Sequence, residues 1–199
     1  MHTINVIIRG FPRVIRHCAH CGGPRPFQPT DKFRVNGQKK LLDVWLIYKC
    51  EDCDATWKME IFSRVAVNKL DKGLFQLLND NDASLARRFA FDTAAHARLK
   101  SVLNYEQVSF AFEETNDPGS GRPWRGASGL VELELICDIT AGVRLAALIR
   151  QLLTISGTQL ARLAKAGAIT LPGGQDILKA RMGTSALVTI DMDQLPVER

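Results

Sequence analysis

No segment of this 199-residue chain holds the roughly 18 to 20 consecutive apolar residues that a membrane-spanning helix needs, so no span is expected. A secretory leader is not expected either. The first ten residues carry a short β-like run, Ile4 to Ile8, in place of a charged start and a long apolar stretch. Internal repeats and low-complexity tracts are absent, which removes solenoids and linker-like chains from consideration. Cysteine is scarce and odd in number at five, so disulfides alone leave one thiol over, and a reduced, cytoplasmic setting is expected. Excess charge is small as well. A formal +5 does not by itself imply a polyanionic partner, and where the charges sit matters more. Against these absences stand 46% apolar side chains, enough to bury real cores in one domain or two small ones.

Four of the five cysteines form the strongest pattern in the chain. Cys18-Ala19-His20-Cys21 and Cys50-Glu51-Asp52-Cys53 are two Cys-x-x-Cys pairs with 28 residues between them. Each pair bends tightly enough to aim both sulfurs at one ion. Cys18, Cys21, Cys50 and Cys53 are therefore the expected metal ligands, with structural Zn²⁺ as the default occupant, because four soft thiolates close a tetrahedral shell and leave no position for a substrate water. Two redox pairs or two disulfides use the same spacing. His17 and His20 lie beside the first pair and are the candidates to replace a thiolate in a three-Cys, one-His site. Four bound thiolates and one Zn²⁺ bring the formal charge from +5 to about +3.

The intervening residues predict a zinc ribbon over residues 1 to 65. Phe33 and Val35 lead into Asn36-Gly37, suited to a type I′ turn, and Leu41 to Tyr48 reads as the returning strand that delivers Cys50. Trp57, Met59 and Ile61 follow at period two with one apolar face. After the first pair, Gly22 and Gly23 let backbone amides turn toward the sulfurs. Pro24, Pro26 and Pro29 are expected to keep their segment out of any central strand.

Residues 66 to 138 read as a helical segment with two strands. Leu70, Leu74, Leu77 and Leu78 form one helical stripe ending near Asn79 to Asp82, and a second helix is expected from about Ser84 to Leu103. Its stripe places Asp92 and His96 one turn apart on an apolar face, the arrangement of a general base or of a local hydrogen-bonded pair. Val108, Phe110 and Phe112 alternate as one strand, and Val131, Leu133, Leu135 and Cys137 as another, with antiparallel pairing expected between them and Cys137 a buried small hydrophobe. The connection from Thr115 to Gly129 carries Arg122, Trp124 and Arg125, which either stack on an exposed base or pin the loop through the indole.

In residues 139 to 199 the basic charge concentrates. Between residues 141 and 185 six basic side chains, Arg144, Arg150, Arg162, Lys165, Lys179 and Arg181, face one acid, Asp176, a net +5 that equals the excess of the whole chain. Leu145, Leu148, Ile149 and Leu152 mark one helix, and Ser156 with Gln159 is a capping box that starts another, ended by Gly167. Strands are expected at Ala168 to Leu171, Ile177 to Arg181 and Ala186 to Ile190. On the second helix Thr158, Arg162 and Lys165 fall at i, i+4 and i+7, a basic face of the kind that contacts phosphates. Arg144, Thr158, Arg162, Lys165, Lys179 and Arg181 are thus the candidate nucleic-acid-binding residues.

The run Arg144-Leu145 through Leu153, with Ser156, Leu160 to Leu163, Lys165, Gly167 and Ile169, resembles the αL RNA-binding motif of ribosomal small-subunit protein four. That resemblance implies an RNA-binding surface on the second helix and the adjoining strand edge. The motif usually carries Arg after the serine aligned with Ser156, where this chain has Gly157. The whole chain also resembles a bacterial family known only as a domain of unknown function. The likeness rests on Cys18-x-x-Cys21-Gly22, Phe33 to Asn36, Leu41 to Cys50 with Cys53, Trp57 and Val67-Asn68-Lys69. The combined expectation is an α+β protein with an N-terminal zinc ribbon, central helices and a two-stranded segment, and a C-terminal helix-helix-sheet module like the αL motif. Functionally it reads as a non-enzymatic, zinc-containing RNA-binding protein, translation-linked. The alternatives are a zinc-ribbon adaptor for protein or DNA partners in transcription, and a hydrolase-like enzyme using Asp92 and His96.

Overall fold

Alternating and helical apolar periods sort the chain into ten strands and five α-helices among the described residues, which in this computed structural model are 1–115, 124–139 and 142–196. In chain order they are β1 (His2–Arg9), β2 (Arg13–Cys18), β3 (Gly23–Gln38), β4 (Leu41–Cys50), β5 (Thr56–Ala66), α1 (Lys72–Asp80), α2 (Ala83–Ala90), α3 (Thr93–Arg98), β6 (Val102–Asn104), β7 (Ser109–Glu114), β8 (Leu130–Ile136), α4 (Leu145–Leu152), α5 (Gly157–Lys165), β9 (Ile169–Thr170) and β10 (Ser185–Asp191). The class is α+β, with two five-stranded sheets. No helix among the described residues is long and apolar enough to cross a membrane.

One unit is Gly10–Val108, built on the sheet β5-β4-β3-β2-β6. In β4 the period-two pattern is complete: Leu42, Val44, Leu46, Tyr48 and Cys50 are buried, and the residues between them are half-buried. Met59 and Ile61 of β5 and Val14 and Phe27 extend the same apolar face, and Leu78, Leu85, Ala86 and Ala90 from α1 and α2 cover it. Asp71, Asp82 and Asp92 each cap a helix by accepting a hydrogen bond from the backbone N–H three residues on. A left-handed Asn81 ends α1 where the Asn/Asp cluster was expected to end it.

Three local expectations are corrected in this unit. The β3–β4 turn is Lys39-Lys40, with φ of 50° and 62°, and Asn36-Gly37 lies inside β3 opposite Asp43 and Leu42. That register sets Val35 against Val44 and Phe33 against Leu46, apolar cross-strand pairs that a turn at Asn36-Gly37 would give up. The proline-rich segment belongs to β3, which has two neighbours in the sheet. Even so, Pro24 and Pro26 lie where the register runs against β2 alone, and Pro29 lies beyond the end of β2 opposite Tyr48 of β4. The missing N–H groups therefore disturb no ladder shared by two strands. Finally, the helix expected over 84 to 103 is broken: Phe91 closes α2, Asp92 caps α3, and Val102–Asn104 pairs with β2 as β6.

The other unit is Met1–Arg9 with Ser109–Arg199, built on the sheet β7-β1-β8-β10-β9. Val108 lies just outside β7, and β7 and β8 do not pair with each other. The strand β1 lies between them, antiparallel to β7 and parallel to β8, because buried Ile4, Val6 and Ile8 supply the apolar face that joins them. Leu145, Leu148, Ile149 and Leu152 of α4 are buried, as are Leu160 and Leu163 of α5. The C-terminal strands form no separate sheet. Rather, β10 runs antiparallel to β8 along its length and carries β9 on its other edge, while Ile177 to Arg181 is a turn touching Arg144 through one bridge. Cys137 is 3% exposed, as a small buried hydrophobe should be. The boundaries drawn in the sequence at residues 65 and 138 cut through both units, since pairing of β1 with β7 and β8 ties the first residues to the second half.

Candidate metal centre

The four cysteines sit on two matching turns at the ends of β2 and β4, strands that both flank β3. The Gly22 N–H donates to the Cys18 carbonyl at 2.9 Å, and the Asp54 N–H donates to the Cys50 carbonyl at the same distance. Gly22 has φ 72° and Asp54 φ 60° at equivalent positions. Left-handed backbone after the second cysteine is what closes each turn, and glycine meets that need without strain in the first.

These turns bring all four Sγ atoms within 4.8 Å of one another. Cys18 and Cys53 lie 3.5 Å apart, and Cys21 and Cys50 lie 4.0 Å apart. An ion about 2.3 Å from each sulfur of a tetrahedral set places neighbouring sulfurs about 3.8 Å apart, so the donor set fits. Cys18, Cys21, Cys50 and Cys53 form no disulfide, and their sulfur separations are compatible with ligands of one ion. Cys18 and Cys50 are buried, and Cys21 and Cys53 are half-buried. His17 and His20 are exposed and lie outside the cluster.

Charge around the sulfurs is organised. The Cys18 thiol is held down to about 7, first by the Cys21 backbone N–H and, against burial, by the neighbouring thiols and the His20 N–H. Cys21 is pushed up to about 12, first by its hydrogen bond with Cys53 and then by burial. Four thiolates so close repel one another, so a cation that collects them displaces protons as it binds. The acids inside the second pair are each matched by an arginine: Arg13 Nε to Glu51 at 2.5 Å and Arg25 Nε to Asp52 at 2.7 Å. Lys49 Nζ donates to the Asp54 carbonyl at 2.8 Å. Arg13 and Arg25, on adjacent strands, escaped the sequence reading because their partners are brought near only by the sheet.

Asp92 and His96 do not form an acid-base site. Asp92 caps α3 through the Ala95 N–H at 2.9 Å, and His96 is 1% exposed with Nε2 donating to the Ala90 carbonyl at 3.2 Å. Burial pushes the imidazole below its ordinary 6.5, against the opposing pull of Ala90 and Asp92. No substrate reaches it. The acid–base pair on which the hydrolase expectation relied is therefore not assembled. Trp124 is 3% exposed, with the Arg125 guanidinium 4.6 Å from the ring centre and donating to the Leu152 carbonyl at 2.7 Å. The indole is a pin, and among the described residues Trp124 offers no open stacking platform. Arg122 and most of its loop lie outside the described residues.

Arg144, Thr158, Arg162, Lys165, Lys179 and Arg181 are all exposed. The helix α5 groups Thr158, Arg162 and Lys165, while Arg144 and Arg181 meet across a backbone bridge. Arg181 also donates to the Gly142 carbonyl, and Lys179 pairs with Asp176 at 3.3 Å. The guanidinium of Arg150 stands 3.6 Å from where a Cβ on Gly157 would be.

A family described as Protein of unknown function (DUF1062) matches residues 35–174. The chain belongs to this family. Within the DUF1062 span lie Cys50 and Cys53, all five helices and β9, while Cys18 and Cys21 precede it. Comparison with curated proteins gives no match, and comparison with solved structures gives none.

Proposed function

We propose that this chain is a non-catalytic RNA-binding protein held together by a structural Zn²⁺ in a ribbon-like site. Zinc suits the centre because four thiolates in a tetrahedral set satisfy it fully, and such binding contributes roughly 10 kcal/mol or more to folding near neutral pH. The ion, when bound, ties the end of β2 to the end of β4 and so holds the sheet under α1 and α2.

The observation that carries the RNA reading is the solvent face of α5. Thr158, Arg162 and Lys165 line it at i, i+4 and i+7, and no ion pair among the described residues engages Arg162 or Lys165. The capping box of Ser156 and Gln159 fixes the first turn of α5, where Arg150 brings a guanidinium beside Gly157. That arginine supplies in space the charge that the αL motif carries in sequence after its serine. Free cations on a rigid helix attract phosphates and make binding steeply salt-dependent.

The test is fluorescence anisotropy of a structured RNA hairpin with the zinc-loaded chain. Affinity should fall by about a hundredfold or more between 50 and 200 mM salt, and the double substitution Arg162→Ala, Lys165→Ala should weaken binding about tenfold or more and flatten the salt slope. Equal binding of heparin, or wild-type affinity in the double variant, would reduce the face to non-specific charge.

A further inference from the structure

A cavity lies in the Gly10–Val108 unit, at the opposite end of β4 from Cys50. Open and about 980 Å³ in volume, it is bounded by the β3–β4 turn, the end of β5 and the start of α1. Half-buried Leu41, Ala66, Leu70 and Phe75 line it, and Val67 beside them is 44% exposed. Three exposed lysines, Lys39, Lys40 and Lys72, stand around these apolar side chains. The one carboxylate in the lining, Asp71, accepts the Leu74 N–H at 2.9 Å as the cap of α1. An apolar hollow of this size with a few charged groups at its border is the usual form of a small-molecule site.

The lysines occupy positions where local structure argues against them. Lys39 and Lys40 both take positive φ in a two-residue hairpin turn, a place for Asn and Gly. Lys72 is the first residue of α1, where the helix dipole disfavours a cation. Local stability would be better served by other residues at all three. Departures from local preference of this kind concentrate where a ligand is met.

We propose that this cavity binds a small anionic amphiphile: an apolar chain lies along Leu41, Leu70 and Phe75, and a carboxylate or phosphate head meets Lys39, Lys40 and Lys72. The excess of three cations over one committed carboxylate selects the sign of the head group, and the apolar lining selects a chain over a sugar or a free phosphate. The site is independent of the basic face of α5.

Isothermal titration of the full metal-loaded chain with laurate, and separately with dodecyltrimethylammonium, both below their micelle concentrations, tests the proposal. Laurate should bind with an affinity on the order of micromolar, and the cationic analogue at least roughly tenfold more weakly. The variant Lys39→Asn, Lys40→Gly relieves the turn and removes two charges, so it should melt at a higher temperature yet bind laurate about tenfold more weakly. Lys72→Gln should weaken laurate in the same direction. Equal affinity for the two head groups, laurate binding unchanged in the turn variant, or no heat of binding up to about millimolar laurate would each overturn the proposal. Loss of RNA binding in the α5 variant with laurate binding intact separates this site from the proposed RNA face.

Discussion

At the scale of single residues, the cysteines and His96 make the sharpest claims. Cys50 is fully buried in the four-cysteine cluster, whereas Cys137 is buried in the other unit and lies outside that cluster. Elemental analysis of purified protein should find one metal ion per chain in the wild type and in Cys137→Ser, and a loss of that ion in Cys50→Ser. Cys137→Ser should still lose about 1 to 3 kcal/mol of stability, because it buries a hydroxyl in place of a thiol. His96 sets a pH dependence with a definite sign. Its folded-state pKa lies below 6.5, so above that pH both states hold it neutral and its contribution is fully present. As pH falls below 6.5 the unfolded chain takes up a proton that the folded chain refuses, and stability drops by up to about 1.4 kcal/mol per pH unit until the folded pKa is reached. Denaturant titrations at pH 7.5, 6.5 and 5.5 should show this decline, and His96→Leu should flatten it. The four-cysteine cluster was legible from sequence because two-residue spacing lets each pair aim both sulfurs at one point. The arginines paired with Glu51 and Asp52 were not, since Arg13 meets Glu51 only across folded strands.

Elements obey caps and cross-strand packing more than they obey a continued hydrophobic stripe. The stripe from Leu85 to Leu103 reads as one helix, yet Asp92 accepts the Ala95 N–H and begins a new one. A cap and a general base make opposite demands on that carboxylate. Asp92→Asn should retain nearly full stability and Asp92→Ala should lose about 1 kcal/mol by chemical denaturation. Helices α1, α4 and α5 were legible because their stripes end in strong signals such as the Asn/Asp cluster after Leu78 and the Ser156 box. The turn after β3 was misplaced because Asn36-Gly37 is the better local turn, while pairing of Phe33 and Val35 with Leu46 and Val44 outweighs it. Prolines in β3 misled for a related reason: a strand with two neighbours can still present stretches that have only one.

The whole molecule is an inserted arrangement that no local pattern announces. The chain leaves one sheet after Arg9 and rejoins it at Ser109, and these two residues pair in the register of β1 with β7. Within the intervening unit the ends also meet, since a Cβ on Gly10, at φ 77°, would lie 2.5 Å from the Gln107 carbonyl oxygen. Only glycine fits there, and Gly10→Ala should destabilise the Gly10–Val108 unit. Adjacent ends are what an autonomous inserted domain requires. Residues 10 to 108 expressed alone should therefore fold and retain one metal ion, and a chelator should unfold that fragment as judged by circular dichroism. A fragment that stays a random coil with metal supplied would show that the two units depend on each other for folding.

Insertion also dictates a timetable. β1 leaves the ribosome before its neighbours β7 and β8, which follow about a hundred residues or more later, on the order of ten seconds of synthesis. During that interval the nascent strand offers Ile4, Val6 and Ile8 to anything sticky nearby. Closing that sheet waits on pairing of β1 with β7 and β8, and cells short of holding chaperones should lose more of the protein to aggregation in the interval.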